Sequence, residues 1–158
     1  LLGSGVFLAV NPEARAAFFG WVRTQYSEFF VYFFPESVED SANTQYTLGW
    51  LPDGYYESAR HTSDEMTRVI YTNGIGEKIN FFYSKANRLH IASEDNEIHT
   101  VKVNGHSAEI YQSKKDNGRN NIVWASSNNS YIFEIIGNLS NDILIRMAEN
   151  VQSSMNIF

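Results

Sequence analysis

Histidine has the widest chemical reach of the side chains in this sequence, because it binds metals and transfers protons near neutral pH. Four are present: His61, His90, His99 and His106. His99 and His106 flank a predicted hairpin turn, which places them on one face but on the order of 13 Å apart along the strands. Zinc ligands converge to about 2 Å from one ion. His61 and His90 have no other histidine or well-spaced carboxylate nearby, although Glu94-Asp95 follows His90. We therefore predict no metal site and no cofactor.

Nucleophilic and nucleotide-binding chemistry also require residues at fixed spacing. The sequence has no Gly-x-Ser-x-Gly motif, and its serines cluster in predicted turns. The glycine pairs of Gly3-Ser4-Gly5 and Gly74-Ile75-Gly76 lack the Gly-Lys-Ser/Thr of a phosphate loop. These patterns predict neither a nucleophile nor a phosphate site.

Paired carboxylates are the remaining candidates for acid–base chemistry. Asp64-Glu65 and Glu94-Asp95 are adjacent in polar segments, where solvated surface is the usual structure. Glu109 and Glu134 lie on predicted strands, and we expect each to point at solvent. The sequence therefore predicts a protein that is not an enzyme.

Charge and composition narrow the classes further. The 158 residues carry a net charge of −6, and no run of basic residues is long enough to neutralise a phosphate backbone. Nucleic-acid binding is therefore not expected. No cysteine is present, which excludes disulfides and thiolate metal sites. An aromatic content of 15% supplies the apolar surface of a globular core.

The elements that must position these side chains are mostly strands, because apolar and polar residues alternate from residue 46 to residue 136. The predicted strands are Tyr46–Trp50, Tyr55–His61, Met66–Thr72, Lys78–Tyr83, Ile98–Val103, Ser107–Ser113, Ile122–Ser126 and Tyr131–Ile136. The turn residues between them are Asn73-Gly74, Asn104-Gly105, Asp116-Asn117-Gly118 and Asn128-Asn129, which tolerate positive φ. Short strands joined by tight turns predict an antiparallel meander.

Two of these turns predict the register of their hairpins. An Asn104-Gly105 turn places Val103 opposite His106, Val101 opposite Ala108 and His99 opposite Ile110. An Asn128-Asn129 turn places Trp124 opposite Phe133, Ile122 opposite Ile135 and Ser126 opposite Tyr131. At Asn73-Gly74 the register stays open, because Gly76 also fits a longer loop.

Helices are predicted at both ends of this sheet. Asn11-Pro12 is a helix start, and apolar residues at helical spacing predict a helix over 12–30, followed by an aromatic run that can become extended before Pro35. Ser140 is a good N-cap for a second helix over 141–152. The predicted fold class is α+β, an antiparallel sheet meander packed against an N-terminal and a C-terminal helix.

The first ten residues are uncharged and mostly apolar. A membrane-spanning helix needs about 20 such residues, so residues 1–10 are too short to cross alone. Two interpretations remain: the end of a membrane-spanning segment, or a buried apolar arm. Residues 11–158 are predicted to form a single domain.

Several ordered motifs resemble one known family. The stretch Tyr46-Thr47-Leu48-Gly49-Trp50-Leu51-Pro52-Asp53-Gly54-Tyr55 resembles the Tyr-x-Leu-x-x-Leu-Pro-Glu/Asp-Gly-Tyr opening of a domain-of-unknown-function family of the DUF4367 type. The closing motifs are similar to that family as well: Val123-Trp124, Tyr131-Ile132-Phe133, Gly137-Asn138-Leu139-Ser140 and Met147-Ala148-Glu149-Asn150-Val151. Val10-Asn11-Pro12-Glu13-Ala14-Arg15-Ala16-Ala17 resembles the junction between a membrane helix and an outer domain in such proteins.

The family resembled occurs as the extracytoplasmic domain of Gram-positive anti-sigma-factor-like membrane proteins. The resemblance implies a single N-terminal membrane helix and a cytoplasmic segment that binds a sigma factor, with this domain outside the membrane. It brings no catalytic residues and identifies no ligand. Its motif residues are expected to be structural: Pro52 and Gly54 shape a turn around which Trp50 and Tyr55 pack, and Trp124 and Phe133 belong to the sheet.

The expected function is that of a non-enzymatic sensory or interaction domain of a membrane-anchored, anti-sigma-factor-like regulator, whose partner is a protein or a cell-envelope component. The alternative is an apolar-ligand-binding module resembling lipoprotein carriers, in which the aromatic residues line a cavity and do not fill a core.

Overall fold

The computed structural model describes residues 29–32, 44–63, 66–85, 89–92, 96–126 and 131–155. These residues form eleven strands and one helix. The elements are β1 (Phe29–Tyr32), β2 (Thr44–Leu48), β3 (Tyr56–Thr62), β4 (Met66–Thr72), β5 (Lys78–Lys85), β6 (Leu89–Ala92), β7 (Asn96–Val103), β8 (His106–Ser113), β9 (Asn120–Ala125), β10 (Tyr131–Gly137), α1 (Asn141–Glu149) and β11 (Val151–Met155).

Seven strands form one antiparallel sheet in the order β3-β4-β5-β10-β9-β8-β7. The sheet joins two meanders, β3-β4-β5 and β7-β8-β9-β10, through a long-range pairing of β5 with β10. β2 pairs with β11 to form a two-stranded ribbon, and β1 pairs with β6. Every pairing is antiparallel, so the predicted antiparallel sheet is confirmed, but its single continuous meander is not.

The two predicted hairpin registers are observed. His99 lies opposite Ile110 between β7 and β8, and Trp124 lies opposite Phe133 between β9 and β10. Asn104 and Gly105 both have positive φ, at 49° and 82°. This is the signature of a type I′ turn, whose twist matches that of the flanking strands.

The sequence does not decide the register between β4 and β5, and the structure shows that the longer loop joins these strands. Thr72 faces Lys78, and the backbone N–H of Asn73 donates to the carbonyl of Glu77 at 3.2 Å. The side-chain Oδ1 of Asn73 accepts from the backbone N–H groups of Ile75 and Glu77. Gly76, with φ of 84°, takes the left-handed position that this loop requires.

One face of the sheet, called here the covered face, packs against α1 and the ribbon. Side chains alternate along each strand, so every second residue points to this face. The main apolar cluster joins α1 and β2 to the sheet through Leu48, Phe81, Ile122, Ile135, Leu144 and Met147. This burial holds the ribbon against the central strands.

The opposite face, called here the second face, is also buried at its centre. Tyr111, Val123 and Ile132 are at most 4% exposed, yet they do not belong to the main apolar cluster. Buried polar side chains accompany them on this face: Asn80, Ser84, Asn121 and Glu134. The middle strands are therefore shielded from solvent on both sides.

The predicted N-terminal helix over 12–30 is wrong at its end, the only part of it that lies within the described residues. Residues 12–28 of the predicted helix lie outside the described residues, as do residues 1–10. Phe29 and Phe30, the predicted helix end, belong to β1 and pair with Ala92 and Ile91. The run Phe29–Tyr32 consists of aromatic and β-branched residues, which favour strands over helices.

The C-terminal helix is shorter than predicted. Ser140 caps it as expected, with its side chain accepting from the backbone N–H of Ile143, but the helix ends at Glu149, not at residue 152. Val151 and Gln152 instead pair with β2. The fold is therefore mostly antiparallel β with a single short helix among the described residues, and not a sheet packed against two terminal helices. That helix is too short to cross a membrane, and it is the only one available for comparison in the described ranges.

Candidate functional site

A cavity of about 330 Å³ lies between the ribbon and the covered face of the sheet. Its size is at the lower end of the range of small-molecule sites, about 300–1,000 Å³. Strands from both ends of the chain, one hairpin turn and α1 all contribute to it. The lining residues are Tyr46, Val103, Asn104, His106, Trp124, Ala125, Ser126, Phe133, Ala148, Val151 and Ser153.

Three aromatic side chains form the inner wall of the cavity. Trp124 and Phe133 are paired across β9 and β10, and their ring centroids are 5.2 Å apart. Tyr46, which comes from the ribbon, meets Phe133 at 4.8 Å with an interplanar angle of 76°. This edge-to-face geometry is the one that aromatic quadrupoles favour. Most of each ring is covered by neighbouring protein atoms, since Trp124 is 7% and Phe133 3% exposed.

Polar side chains surround the mouth of the cavity. Asn104 and His106 come from the β7–β8 turn and Ser153 from β11, and all three are exposed. The Nδ2 of Asn104 donates to the backbone carbonyl of Glu149 at 3.2 Å. This bond ties the turn to the end of α1 and fixes one side of the mouth. The cavity thus has hydrogen-bonding groups at its entrance and mostly covered aromatic rings behind them.

The outer wall is the ribbon, and hydrogen bonds from the sheet hold it in place. The hydroxyl of Tyr71 on β4 accepts from the backbone N–H of Leu48 at 3.0 Å. The Nη1 of Arg60 donates to the backbone carbonyl of Tyr46 at 3.1 Å. A side-chain hydrogen bond to Glu57 raises the pKa of Arg60, so the guanidinium stays charged in this position. The width of the cavity therefore depends on contacts made by β3 and β4.

The predicted turn residues lie beside the ribbon and do not line the cavity. Gly54 has a φ of 86°, and the backbone N–H of Tyr55 donates to the carbonyl of Pro52 at 3.3 Å. The hydroxyl of Tyr55 donates to Oε2 of Glu77 at 3.2 Å. Burial raises the pKa of Tyr55, and the charge of Glu77 adds to this effect. These contacts connect the turn after β2 to the β4–β5 loop.

The other three predicted motif residues are Trp50, which lies near α1, and Trp124 and Phe133, which line the cavity. Trp50 lies near α1, where the guanidinium carbon of Arg146 is 4.0 Å from its ring centroid. That distance is well within the reach of a cation–π interaction. Trp124 and Phe133, by contrast, are in the cavity wall. The motif that carries the family resemblance therefore positions the ribbon and supplies part of the wall.

A buried carboxyl group, that of Glu134, lies on the second face of the sheet, away from the cavity. Glu134 is 6% exposed, and its Oε1 accepts from Nδ2 of Asn121 at 2.8 Å. Burial raises the pKa of Glu134 to about 7, while the bond from Asn121 lowers it. The expectation that Glu134 points at solvent is therefore wrong. Glu109 is only half-buried, and its Oε2 accepts from the hydroxyl of Tyr111 at 2.7 Å.

The histidines whose side chains are described do not form a metal site. His106 pairs with Val103 beside the β7–β8 turn, and His99 lies four residues before Val103, as the predicted register has it. His99 Nε2 is 3.8 Å from Oε1 of Glu97, which is beyond hydrogen-bonding distance. Within the described ranges no three His, Asp or Glu side chains form a group that could hold a metal ion. Glu94 and Asp95, next to His90, lie outside those ranges.

The sequence predicts the pairing of two of these residues, Trp124 and Phe133, but names them only as structural residues of the sheet. It missed Tyr46 as a wall residue and His106 and Ser153 at the mouth. Tyr46 is within the motif that resembles the family, and its pairing partner on the ribbon is Ser153. No local pattern joins residues 46 and 153, so only the pairing of β2 with β11 reveals their shared position.

Comparison with known families gives one match. A family model described as a domain of unknown function (DUF4367) matches residues 45–151, which is more than half of the chain. The matched range begins within β2 and ends at the first residue of β11, so it includes the sheet, α1 and most of the cavity. The family resemblance predicted from the motifs is thereby confirmed. No curated protein matches the chain.

Proposed function

The chain belongs to the DUF4367 family of domains of unknown function, and from that premise we propose that it is a non-catalytic recognition domain of a membrane-anchored regulator similar to anti-sigma factors. In this proposal the domain lies outside the cell membrane. A cytoplasmic segment of the same protein binds a sigma factor, and recognition outside alters that binding.

The observation that best supports a recognition role is the cavity between the ribbon and the sheet. It places a few polar groups around a concave space backed by aromatic residues, which is the usual form of a site for a small ligand. Its outer wall is a two-stranded ribbon and not part of the large sheet. An occupant would contact Tyr46 on β2 and Ser153 on β11 at once.

This placement also suggests how recognition is transmitted. β2 begins at Thr44, directly after residues 33–43, and so it joins the cavity to the N-terminal part of the chain. A ligand that binds one position of the ribbon more tightly than another shifts the population of these positions. The proposed signal is therefore a change in how β2 docks on the sheet.

The alternative function, an apolar-ligand carrier resembling lipoprotein carriers, draws on the same cavity. Its volume of about 330 Å³ suits a compact ligand better than a long acyl chain. Most other aromatic residues of the sheet fill the core: Phe81, Tyr83 and Tyr131 are at most 6% exposed. A compact ligand that acts as a signal therefore accounts for the geometry better than a bulk lipid cargo.

Membrane sidedness is tested by cysteine labelling in intact bacteria that produce the whole protein. This chain has no cysteine, and Ile75 in the β4–β5 loop is 82% exposed. Ile75→Cys is introduced into a background with any other cysteine replaced by serine, and a membrane-impermeant maleimide is added. Labelling in intact cells supports the proposal, whereas labelling only after lysis contradicts it. Val69→Cys, at a fully buried position, is the matched control and stays unlabelled in folded protein.

The sigma-factor part of the proposal has its own test. The whole protein is paired in a two-hybrid assay with each sigma factor of the same bacterium in turn. Binding to at least one sigma factor, retained when residues 44–155 are deleted, is the expected result. Failure to bind any of them would remove the regulatory proposal and leave a recognition domain of another kind of protein.

A further inference from the structure

We infer that the outer edge of β11 binds a short, extended peptide segment of a partner protein, which pairs with β11 as an added strand. Two uncharged side chains of that segment form the compact group that the cavity holds. This inference names the ligand class for the recognition role proposed above and rests on that role. The affinity of such binding comes mainly from main-chain hydrogen bonds, and its specificity comes from alternate side chains.

The pairing of β2 with β11 determines which backbone groups of β11 point outward. In an antiparallel pair, residues that bond to the partner strand alternate with residues whose backbone groups point away from it. The backbone N–H of Gly49 donates to the carbonyl of Asn150 at 2.8 Å, so these two residues bond across the ribbon. The N–H of the next residue, Leu48, donates instead to the hydroxyl of Tyr71 on β4. Leu48 lies opposite Val151, and the backbone groups of Val151 therefore point away from β2.

The same alternation places the backbone groups of Ser153 on the outer edge. Ser153 lies opposite Tyr46, whose carbonyl accepts from Nη1 of Arg60 at 3.1 Å. The outward N–H and C=O groups of Val151 and Ser153 are called here the free edge of β11. Within the described part of the chain, no hydrogen bond is made to the free edge. Ser153 and both its neighbours are exposed, so an added strand can approach them.

The two edges of the large sheet carry features that block strand addition, and the free edge of β11 does not. Natural sheets protect their edges with bulges and charged side chains. β3 has a register shift between Glu57 and Ala59, and β7 carries Glu97 and Lys102. Val151–Met155 has no charged residue, no proline and no register shift. This composition favours pairing with another strand.

The cavity beside the free edge gives room for side chains of the added strand. Val151 and Ser153 line the cavity, and residues that pair opposite them direct their side chains to the same face. An added strand therefore places two side chains, two positions apart, in the cavity. A water molecule takes up about 30 Å³ in the liquid, so 330 Å³ corresponds to roughly eleven non-hydrogen atoms. Two side chains of medium size, such as those of valine and threonine, fit in this volume.

The exposed lining of the cavity is polar, which determines the chemistry of these two side chains. Asn104, His106 and Ser153 are exposed, whereas the rings of Trp124 and Phe133 are almost fully covered. None of the lining residues is Asp, Glu, Lys or Arg. A charged side chain brought into the cavity would lose water without gaining an opposite charge. We therefore expect uncharged side chains, at least one of them with a hydrogen-bonding group.

A single peptide segment suits the free edge better than a second copy of the chain does. The large sheet and the β7–β8 turn both line the cavity and so bound the space beside the free edge. One extended segment needs the width of one strand, about 4.8 Å. A second β11 would arrive with β2 paired to its far side and a seven-stranded sheet behind it, so it needs much more space.

The test titrates the 158-residue chain with the peptide acetyl-Lys-Val-Ser-Thr-Lys-amide and follows backbone amides by NMR. The valine and threonine of the probe take the two positions toward the cavity, and its other side chains point outward. We expect saturable binding with a dissociation constant of about 1 mM or tighter. Hydrogen exchange at the amide of Ser153 should slow about tenfold or more at saturation, whereas Gln152, already paired to β2, should change little.

Two N-methylated probes test the main-chain hydrogen bonds on the wild-type protein. Methyl groups on the valine and threonine nitrogens remove the N–H groups that face β11, and binding should weaken about tenfold or more. A methyl group on the serine nitrogen, which points away from β11, is the matched control and should weaken binding less than about threefold. Equal affinities of the two methylated probes would overturn strand addition. A probe with aspartate in place of threonine should also bind about tenfold more weakly, and equal binding would overturn the uncharged class.

Two variants test the site on the protein. Ser153→Pro removes one N–H of the free edge, at a position where an edge strand tolerates proline, and should weaken binding of the unmodified probe about tenfold or more. Ser153→Ala keeps that N–H and is the matched control, so it should bind within about threefold of the wild type. Equal binding by the two variants would overturn the site. Since the methylated probes use the wild-type protein, the test does not depend on the folding of Ser153→Pro.

A second copy as the occupant would give a different result. Sedimentation of the chain alone should show a monomer at the concentrations of the titration. A dimer that Ser153→Pro dissociates would assign the free edge to a second copy and overturn the inference. Peptide binding is measured independently of membrane sidedness and of sigma-factor binding, so failure here leaves those two tests to be judged by themselves.

Discussion

Asn121 on β9 and Glu134 on β10 are joined by a 2.8 Å hydrogen bond between Nδ2 and Oε1 on the second face of the sheet. Both side chains are buried, at 8% and 6% exposed. A buried carboxyl is stable in its neutral form unless a positive charge compensates it, and the amide of Asn121 supplies only a partial one. The pair is therefore a polar contact whose stability depends on the protonation of Glu134.

This pair predicts that the protein loses stability as pH rises from about 4.5 to about 7. Burial raises the pKa of Glu134 from 4.5 to about 7, so in this range the folded state binds more protons than the unfolded state. The free energy of unfolding must then fall as pH rises. A pKa difference of about 2.5 sets the limit of this loss at on the order of 3 kcal/mol. Urea unfolding of the wild type and of Glu134→Gln at several pH values measures it.

Glu134→Gln is the informative variant because glutamine keeps the acceptor for Asn121 and cannot ionise. Its stability relative to the wild type should rise across this range and level off above pH 7. Glu149→Gln, which alters an exposed carboxyl at the end of α1, serves as the control and should follow the wild type. Parallel pH profiles for the wild type and Glu134→Gln would show that the carboxyl is not held in its neutral form.

A second prediction concerns the close approach of Gly49 to the end of α1. The backbone N–H of Gly49 donates to the carbonyl of Asn150 at 2.8 Å. A Cβ at Gly49 would lie 2.8 Å from that carbonyl oxygen and 2.5 Å from Nε2 of Gln152. Gly49→Ala should therefore destabilise the protein by about 1–3 kcal/mol, since the backbone of the ribbon must shift.

The matched variant for this prediction is Gly74→Ala in the β4–β5 loop. A Cβ there meets nothing within 4 Å, and Gly74 does not have positive φ. We expect its stability to stay within about 0.5 kcal/mol of the wild type or to increase slightly. Thermal unfolding of both variants compares them directly. A neutral Gly49→Ala variant would mean that the ribbon and α1 are not held as close as described.

Local sequence patterns were sufficient to predict the strands of the large sheet but not how they are ordered. Alternation and turn residues located all seven strands, and the Asn104-Gly105 turn fixed its own register. The pairing of β5 with β10 joins residues about fifty positions apart, and no periodicity encodes it. The same is true of the ribbon. Val151–Met155 has only a weak strand pattern. Val151 also fits the apolar stripe of the preceding helix, so the sequence does not show that a strand begins there.

The candidate site was predictable only in part for the same reason. Trp124 and Phe133 face each other through a local hairpin, so their pairing followed from the turn. Alternation along β10 places Glu134 on the face opposite Phe133 and Ile135, which favours a solvent-exposed side chain. This holds for a sheet with one solvent-exposed face, but β10 is a central strand that is buried on both faces. The apolar neighbour Ile132, on the same face as Glu134, was the signal that pointed to this burial.

A third prediction tests whether the motif residue Trp50 stabilises the docking of α1. Arg146, in the last turn of the helix, has its guanidinium carbon 4.0 Å from the Trp50 ring centroid. A double-mutant cycle with Trp50→Leu and Arg146→Met, measured by urea unfolding, should give a coupling energy of about 0.5–1 kcal/mol. Methionine keeps the apolar stem, so the coupling reports the charge. A coupling near zero would assign Trp50 to apolar packing alone.

The last prediction concerns the hydroxyl of Tyr71, which anchors the ribbon to the sheet. It accepts from the backbone N–H of Leu48 at 3.0 Å and lies 3.1 Å from Oγ1 of Thr47. Tyr71→Phe removes the oxygen and leaves the buried N–H of Leu48 without its partner, at a cost of about 1–3 kcal/mol. Tyr56→Phe, at a position that is 58% exposed, should cost much less.

Hydrogen exchange distinguishes this local loss from a general one. In Tyr71→Phe the amide of Leu48 should exchange faster than in the wild type by a larger factor than amides of β9 and β10, because the ribbon detaches before the sheet unfolds. If all amides accelerate by the same factor, the ribbon and the sheet open as one unit. The cavity wall would then not be able to move independently, and the route from an occupant to β2 proposed above would be wrong.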